Sequence, residues 1–392
     1  MQVGIPKETY PGERRVALVP ADVAKLAKNG IGVILEPGAG AAAGFPDAAY
    51  EEKGAKLAFS REGAFSGEIV AQVRAGGANA AGGQADLQWL RPGKIVVAGV
   101  DPLGAPQEVA EIAKTGATLF ALELMPRTTR AQAMDILSSM ANLAGYRAVL
   151  LAAAELPKIF PLMMTAAGTL SASKVFVIGV GVAGLSAIAT AKRLGAVVRA
   201  YDVRPACREQ VESLGAKFIE LPLDTKQAEA AGGYAKAQDE AFYQRQRELL
   251  ANIVADSDAV ITTAAIQGKP SPLLVTAEAV QRMQPGSVVV DLAAERGGNC
   301  ALTKADERVS QFGVTILGPT NLPSDLAYHA SQMFSGNVTA FLLNLVRKGQ
   351  VVLNCDDEII RETLAAHEGQ VAHPRLRDLL GLPKLPQETL ET

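Results

Sequence analysis

The stretch KVFVIGVGVAGLSAIATAKRLG, residues 174–195, decides how the rest of the chain is read. An apolar run, Val175 to Ile178, leads into Gly179-Val180-Gly181-Val182-Ala183-Gly184, and a helical pattern then ends at Gly195. G-x-G-x-x-G alone is a weak signal, but a strand before it and a helix after it give it meaning. The first glycine permits the tight turn, the second lets backbone approach a pyrophosphate, and the third lets helix pack on strand. Val182 opens the helix, whose N-terminal amides meet phosphate charge. Eighteen residues past Gly184, Asp202 closes VVRAYD. A carboxylate there accepts hydrogen bonds from the adenosine ribose and repels a 2′-phosphate, selecting NAD over NADP. Val203 stands beside it, and Arg204 is the counter-signal, because an arginine could pair with that phosphate.

Working outward, KVFVIGV opens a series of apolar runs alternating with helical segments that ends at VTILGP, and a similar series fills the first third of the chain. Such alternation is the pattern of a parallel sheet covered by helices. Two long helical runs, Met134 to Leu156 and Asp325 to Lys348, bracket the second series. The predicted fold class is α/β: two Rossmann-like, doubly wound parallel-sheet domains joined by long helices, with a cofactor cleft between them. The expected domains are 1–135 plus 330–378, then 136–329 with a mobile loop at 222–241, then a tail at 379–392.

A chain of 392 residues is too long for one core, and 48% hydrophobic residues fill two. Thirty-eight basic against 41 acidic residues leave no field that argues for nucleic acid. Cys207, Cys300 and Cys355 lack C-x-x-C spacing, which argues against disulfides and against zinc, so no metal site is expected. The start MQVGIPKETYPGERR lacks the basic-then-apolar order of a signal peptide. The longest uncharged run, Ile159 to Ser173, is 15 residues long and contains Pro161, too short and broken to span a bilayer.

VGIPKE with GERRVALVP, the fingerprint, MPRTTRAQAMDILSSMANLAGYRAV at 125–149 and DLAAERGGNC at 291–300 resemble the family that holds alanine dehydrogenase and the NAD-binding subunit of proton-translocating NAD(P) transhydrogenase. The likeness runs from Met1 to about Pro374. Alanine dehydrogenases of the family carry a histidine and a lysine after two strands where this chain has Asp101 and Arg74, although Lys7 and Arg15 persist. The three histidines, His329, His367 and His373, all lie in the last sixth of the chain. Hydride transfer between two nicotinamides needs no acid or base at carbon, only orientation and dryness. The resemblance therefore implies the transhydrogenase branch. It places Arg127, Gln132, Asp135 and Ser138 around the nicotinamide, the last three expected on one helical face. Gln246 and the strand end Thr263, Ala264 and Ala265 are expected on the cofactor side.

It further implies NAD(H) here, NADP(H) on a partner subunit, a separate transmembrane proton-channel subunit, and a homodimer. SQMFSGNVTAFLLNLV is the expected dimer face, and the chain is expected on the cytoplasmic face of a bacterial inner membrane. Because the sequence ends near LPKLPQETLET, the membrane helices are expected on separate polypeptides. An alanine dehydrogenase and a non-catalytic NAD sensor remain as alternatives.

The family's transhydrogenase subunit has an insert that AAGGYAKAQDEAF resembles. Residues 223–241 hold one aromatic, Tyr234, and one other sizeable apolar residue, Leu223. Ordering about ten such residues costs on the order of 10 kcal/mol, against about 2 returned by burying one tyrosine. A lid is expected, hinged at Gly232 and Gly233, with Tyr234 laid over the dinucleotide. Limited proteolysis is predicted to cut between Asp224 and Glu240, and NADH to suppress the cut; equal cleavage with and without NADH would remove the lid.

Overall fold

Apolar runs at the start of the chain become β1 (Gln2–Ile5), β2 (Gly32–Leu35), β3 (Lys56–Leu57), β4 (Ile69–Arg74), β5 (Ile95–Gly99) and β6 (Thr118–Ala121). The computed structural model describes residues 1–223, 239–266 and 268–385. After an excursion through a second sheet, the chain returns as β16 (Val346–Arg347), β17 (Gln350–Val351), β18 (Leu364–His367) and β19 (Gln370–Val371). One sheet has the order β19-β18-β6-β5-β4-β1-β2-β3, parallel from β1 to β6, with β18 and β19 antiparallel at its edge. The chain leaves β1 in one direction and returns as β4 on its other side. The topological switch point, where such sheets hold ligands, therefore lies at the carboxyl ends of β1 and β4.

The excursion begins with a separate hairpin, β7 (Met163–Thr165) and β8 (Gly168–Leu170). The second large sheet follows, with β9 (Lys174–Ile178), β10 (Val197–Tyr201), β11 (Lys217–Phe218), β12 (Ala259–Thr262), β13 (Val288–Asp291), β14 (Arg308–Gln311) and β15 (Val314–Leu317). Its order is β11-β10-β9-β12-β13-β15-β14, parallel except for β14, and its switch point lies between β9 and β12. Strand side chains alternate between faces. Val175 and Val177 accordingly pack in one core with Ala187 and Ile188, and Phe176 and Ile178 in the other with Leu250 and Val254.

By contact density the chain divides into one unit of Met1–Met140 with Ser324–Thr392 and another of Ala141–Pro323. The helix Ile136–Glu155 has the length and apolar character to cross a bilayer, and it is the one such helix among the described residues. Its second half is nonetheless a core element, with Ala148, Val149 and Ala152 fully buried and Gly145 against the fingerprint helix, where a Cβ would stand 2.0 Å from the Ala183 carbonyl oxygen.

The helix Ala327–Leu345 departs from expectation. Phe334, Val338, Phe341, Leu342 and Leu345 fill its own unit's core, and the Ser331 and Ser335 hydroxyls accept hydrogen bonds from the Val16 and Val19 amides. Most of its apolar side chains thus serve its own unit's core, while Tyr328 and Leu343 remain exposed. Residues 224–238, and with them Gly233, Tyr234 and most of the 222–241 insert, lie outside the described residues.

Candidate functional site

Three glycines shape the switch point of the second sheet, each for a different reason. Gly179, directly after β9, has φ +95°, which an L side chain rarely adopts, and its missing Cβ would fall 2.7 Å from Thr263 Oγ1. At Gly184 a Cβ would stand 1.9 Å from the Gly179 carbonyl oxygen, so the helix Val182–Arg193 could not approach the turn. Gly181 is exposed, with an ordinary φ of −81°, and a Cβ there would meet nothing within 4 Å. The protein's own packing does not ask for glycine at that position, and the open space before it leaves room for a ligand to approach the backbone closely. The site therefore fits a dinucleotide on an observation of its own geometry.

Asp202, just past β10, is buried and already served. Its Oδ2 accepts from the Val180 amide at 2.7 Å, and its Oδ1 from the Arg204 amide at 2.9 Å. The Arg204 guanidinium donates to both oxygens at 2.8 Å. Arg204 thus holds the carboxylate that a ribose would use, and its charge is turned inward rather than toward a 2′-phosphate. Gln246, on the helix Glu240–Ala255, is buried and donates through Nε2 to the Tyr201 hydroxyl at 2.8 Å. Burial pushes that phenol up to about 12, so it stays neutral. Gln246 therefore bears on the site through Tyr201, the neighbour of Asp202.

The strand end after β12 is tied to the loop after β13. Thr263 Oγ1 donates to the Gly179 carbonyl at 2.9 Å, and the Ala264 amide donates to Asn299 Oδ1 at 3.0 Å; Ala265 is exposed. Asn299 returns a bond to the Ala264 carbonyl at 2.8 Å. Behind it stands Asp291, the last residue of β13, fully buried and accepting five hydrogen bonds: from Thr262 Oγ1, the amides of Ala293, Asn299 and Cys300, and Thr303 Oγ1. None of these donors is a basic side chain. Gly298 completes the hub, since its φ is +82° and a Cβ would lie 2.7 Å from Asp291 Oδ2. Sequence reasoning passed over this residue. The available signal was an acid ending the otherwise apolar VVVD, directly before a loop rich in Gly and Asn. Burial raises the Cys300 thiol to about 11, which leaves it protonated and a poor nucleophile.

The carboxyl edge of the first sheet is ringed by acids. Glu8, after β1, accepts from the Val73 and Arg74 amides at the end of β4 at 2.6 and 3.1 Å. Glu123, after β6, accepts from the Val100 and Asp101 amides at 2.7 Å. Glu8 as a residue is partly exposed, but those strand-end amides close over its carboxyl. Burial pushes it up to about 8 and the Glu123 carboxyl up to about 7. Burial would likewise raise Glu13, but the hydrogen bonds and charge of Arg15, with Arg74 adding to them, bring it down to about 2. Arg15 clamps Glu13 with Nε and Nη2 at 2.7 and 2.6 Å, and Arg74 Nε donates to the same carboxylate at 3.2 Å. Arg15 and Arg74 are thereby both engaged by one internal carboxylate.

Between Arg127 and Ser138 the structure corrects the expected single helix. Thr129–Met134 is a 3₁₀ turn, Asp135 is extended, and the α-helix starts at Ile136. Asp135 caps that helix: it accepts from the Ser138 amide at 2.9 Å and from the Ser138 hydroxyl at 2.5 Å. Asp135 and Ser138 are thus brought together, while Gln132 stands exposed on the preceding turn and Arg127 is exposed in the irregular segment before that turn.

Comparison with known proteins gives consistent results. Residues 4–144 match the model described as "Alanine dehydrogenase/PNT, N-terminal domain" and residues 148–374 its C-terminal counterpart. The Rhodospirillum rubrum protein named as the first part of NAD(P) transhydrogenase subunit alpha is 46% identical over 380 residues, 96% of this chain and 99% of that protein. A crystal structure of transhydrogenase from Sinorhizobium meliloti superposes with a TM-score of 0.82 at 43% identity, covering 95% of this chain and 99% of that one. The alanine dehydrogenase of Bacillus subtilis is 26% identical over 396 residues, 99% of this chain and 97% of that protein.

Two outcomes test this geometry. In Asp291→Asn, an amide nitrogen at either oxygen position would face a backbone N–H donor, so the variant is expected to lose on the order of 3 kcal/mol, read by denaturant unfolding, together with affinity for NADH. A variant of unchanged stability would show that the hub does not hold the loop. Glu8 binds its proton more tightly folded (about 8) than unfolded (near 4.5), so its stabilising contribution is full below about 4.5 and is lost as pH rises toward 8. The melting temperature of Glu8→Gln minus that of the natural chain should therefore climb between pH 5 and 8 and level off above; a flat difference would contradict the raised carboxyl.

Proposed function

We propose a function from one premise: this chain belongs to the alanine dehydrogenase/PNT family. It is an oxidoreductase component of the NAD(P) transhydrogenase subunit alpha type. On our reading it binds NAD(H) at the carboxyl edge of the Ala141–Pro323 unit and exchanges hydride with NADP(H) held on a partner subunit. Separate membrane subunits couple that exchange to proton translocation. The working form is a homodimer on the cytoplasmic face of the membrane, inactive until its partners are added.

One observation carries the reading: Gly181 is left open, by a glycine its own packing does not require, at the N-terminus of a helix and beside a buried aspartate. The nicotinamide ring supplies the hydride at C4. The residues of this chain hold and orient. Gly181 and the first amides of Val182–Arg193 receive the pyrophosphate, and Asp202 receives the adenosine ribose in place of Arg204. The Thr263–Ala265 strand end, fixed by Asn299 and Asp291, lines the floor. Arg127, Gln132, Asp135 and Ser138 are proposed to hold the carboxamide end, with Ser138 kept in one rotamer by Asp135.

The acid–base reading of an amino-acid dehydrogenase finds less support. Arg15 and Arg74, which could anchor a substrate carboxylate, both donate to Glu13. None of the histidines follows β4 or β5: His329 is on the helix Ala327–Leu345, His367 bonds the Thr118 hydroxyl at 2.8 Å, and buried His373 stands 3.8 Å from Glu362.

The isolated chain is expected to leave NADH unoxidised in the presence of an NADP analogue, and to begin hydride exchange when a separate NADP-binding subunit is added. Consumption of NADH with pyruvate and ammonium by the chain alone would overturn the assignment. No exchange after addition of the partner, with NADH binding intact, would favour a sensor.

A further inference from the structure

The turn Thr129–Met134 is a 3₁₀ helix of 6 residues, and such runs are seldom longer than three or four residues because their hydrogen bonds are poorly aligned. Left to itself it would fray. It is held instead at three points. Ala131 and Met134 are buried in the same core as Phe334, Val338, Ile359 and Ile360. Arg130 donates through Nη1 to Asp357 Oδ2 at 2.9 Å and through Nη2 to Asp357 Oδ1, a two-pronged grip on one carboxylate. Asn337, on the helix Ala327–Leu345, donates through Nδ2 to the Ala133 carbonyl at 2.8 Å. The two polar anchors lie 227 and 204 residues away along the chain, on the segment that returns from the second unit.

Both anchors are themselves rigid. Asp357 caps the helix Glu358–Thr363 by accepting from the Ile359 amide at 2.9 Å, and it accepts from Asn344 Nδ2 at 3.2 Å. Its side chain is only 10% exposed, unlike the partners of an ordinary surface ion pair, and the hydrogen bond from Arg130 brings the carboxyl down to about 2, so the grip stays charged at any working pH. Asn337 is buried among apolar side chains, and its Oδ1 is buried with no partner among the described residues. An unserved buried acceptor destabilises, and an apolar side chain would pack there without that cost. What the amide supplies is one oriented bond to the turn. Between the two anchored residues, Arg130 and Ala133, stands Gln132 with its side chain exposed, and the turn runs straight into Asp135, which holds Ser138. A polar group presented on a locked frame is the arrangement that precise positioning requires.

We propose that Asp357 and Asn337 are positioning residues for the hydride transfer, holding the Thr129–Met134 turn through Arg130 and the Ala133 carbonyl so that Gln132 meets the carboxamide in one orientation. This rests on the function proposed above. On that reading the pyrophosphate and the adenosine ribose are bound by other residues, so a loosened turn costs rate far more than affinity.

Hydride exchange by the full chain with a separate NADP-binding subunit tests it, alongside NADH titration and melting of each variant. Asp357→Asn keeps a side chain that caps a helix well and removes the charge that grips Arg130. It should slow exchange at saturating NADH by about 10- to 100-fold and shift the dissociation constant for NADH by less than about 3-fold. Asn337→Leu does not depend on that variant folding well: it should melt no lower than the natural chain and still exchange more slowly, a split that a merely structural residue would not show. Placed on a Gln132→Ala background, Asp357→Asn should slow exchange by less than about 2-fold further, because its effect runs through Gln132. Unchanged rates in both variants, losses of rate that only track losses of melting temperature, or full additivity with Gln132→Ala would each overturn the inference while leaving the proposed function standing. No exchange by the natural chain with its partner would overturn that function and the inference together.

Discussion

A parallel sheet ends in a row of backbone N–H groups with no further strand to receive them, and in this chain carboxylates receive them. Asp291 is the extreme case, a fully buried acid whose partners are three amides and two hydroxyls. Burying an acid without a cation is tolerable only when its lone pairs are used, and here the donors come from β12, from the turn after β13 and from the loop beyond it. The rest of the carboxyl edge is built on that constraint. Asn299 is held by Asp291 and in turn holds Ala264, and Thr263 holds the Gly179 turn.

The same device recurs at Glu8, Glu123 and Asp202, each placed after a strand and capping amides at a neighbouring strand's end. What differs is the countercharge. Asp202 and Glu13 accept hydrogen bonds from arginines and act as anchored anions, whereas Glu8 and Glu123 accept from strand-end amides, and burial raises them toward neutrality. One structural role thus yields two electrostatic outcomes, set by whether countercharge or burial dominates at each carboxyl.

Much of this was legible in the sequence. The glycine spacing and Asp202 could be read because each demand is local: a positive φ at Gly179, contact at Gly184, open space at Gly181. The strands could be read because they are buried on both faces and so are apolar without interruption. Three features could not. The apolar helix Ala327–Leu345 gives no hint of whether its face meets its own core or another molecule. Gln132, Asp135 and Ser138 have helical spacing, but Asp135 prefers to cap, and a cap ends the very helix the spacing suggests. The Asp291 hub depends on donors up to 29 residues away in the chain, a distance at which no sequence pattern operates.

The Asp202–Arg204 pair has one more consequence. A site whose carboxylate is already neutralised carries no uncompensated charge when empty, so it neither collapses nor has to recruit counterions before the next visitor arrives. On the proposed reading, an adenosine ribose at Asp202 would have to compete with the guanidinium already bonded there. Such competition would shorten residence time, which suits a dinucleotide that comes and goes better than one meant to stay.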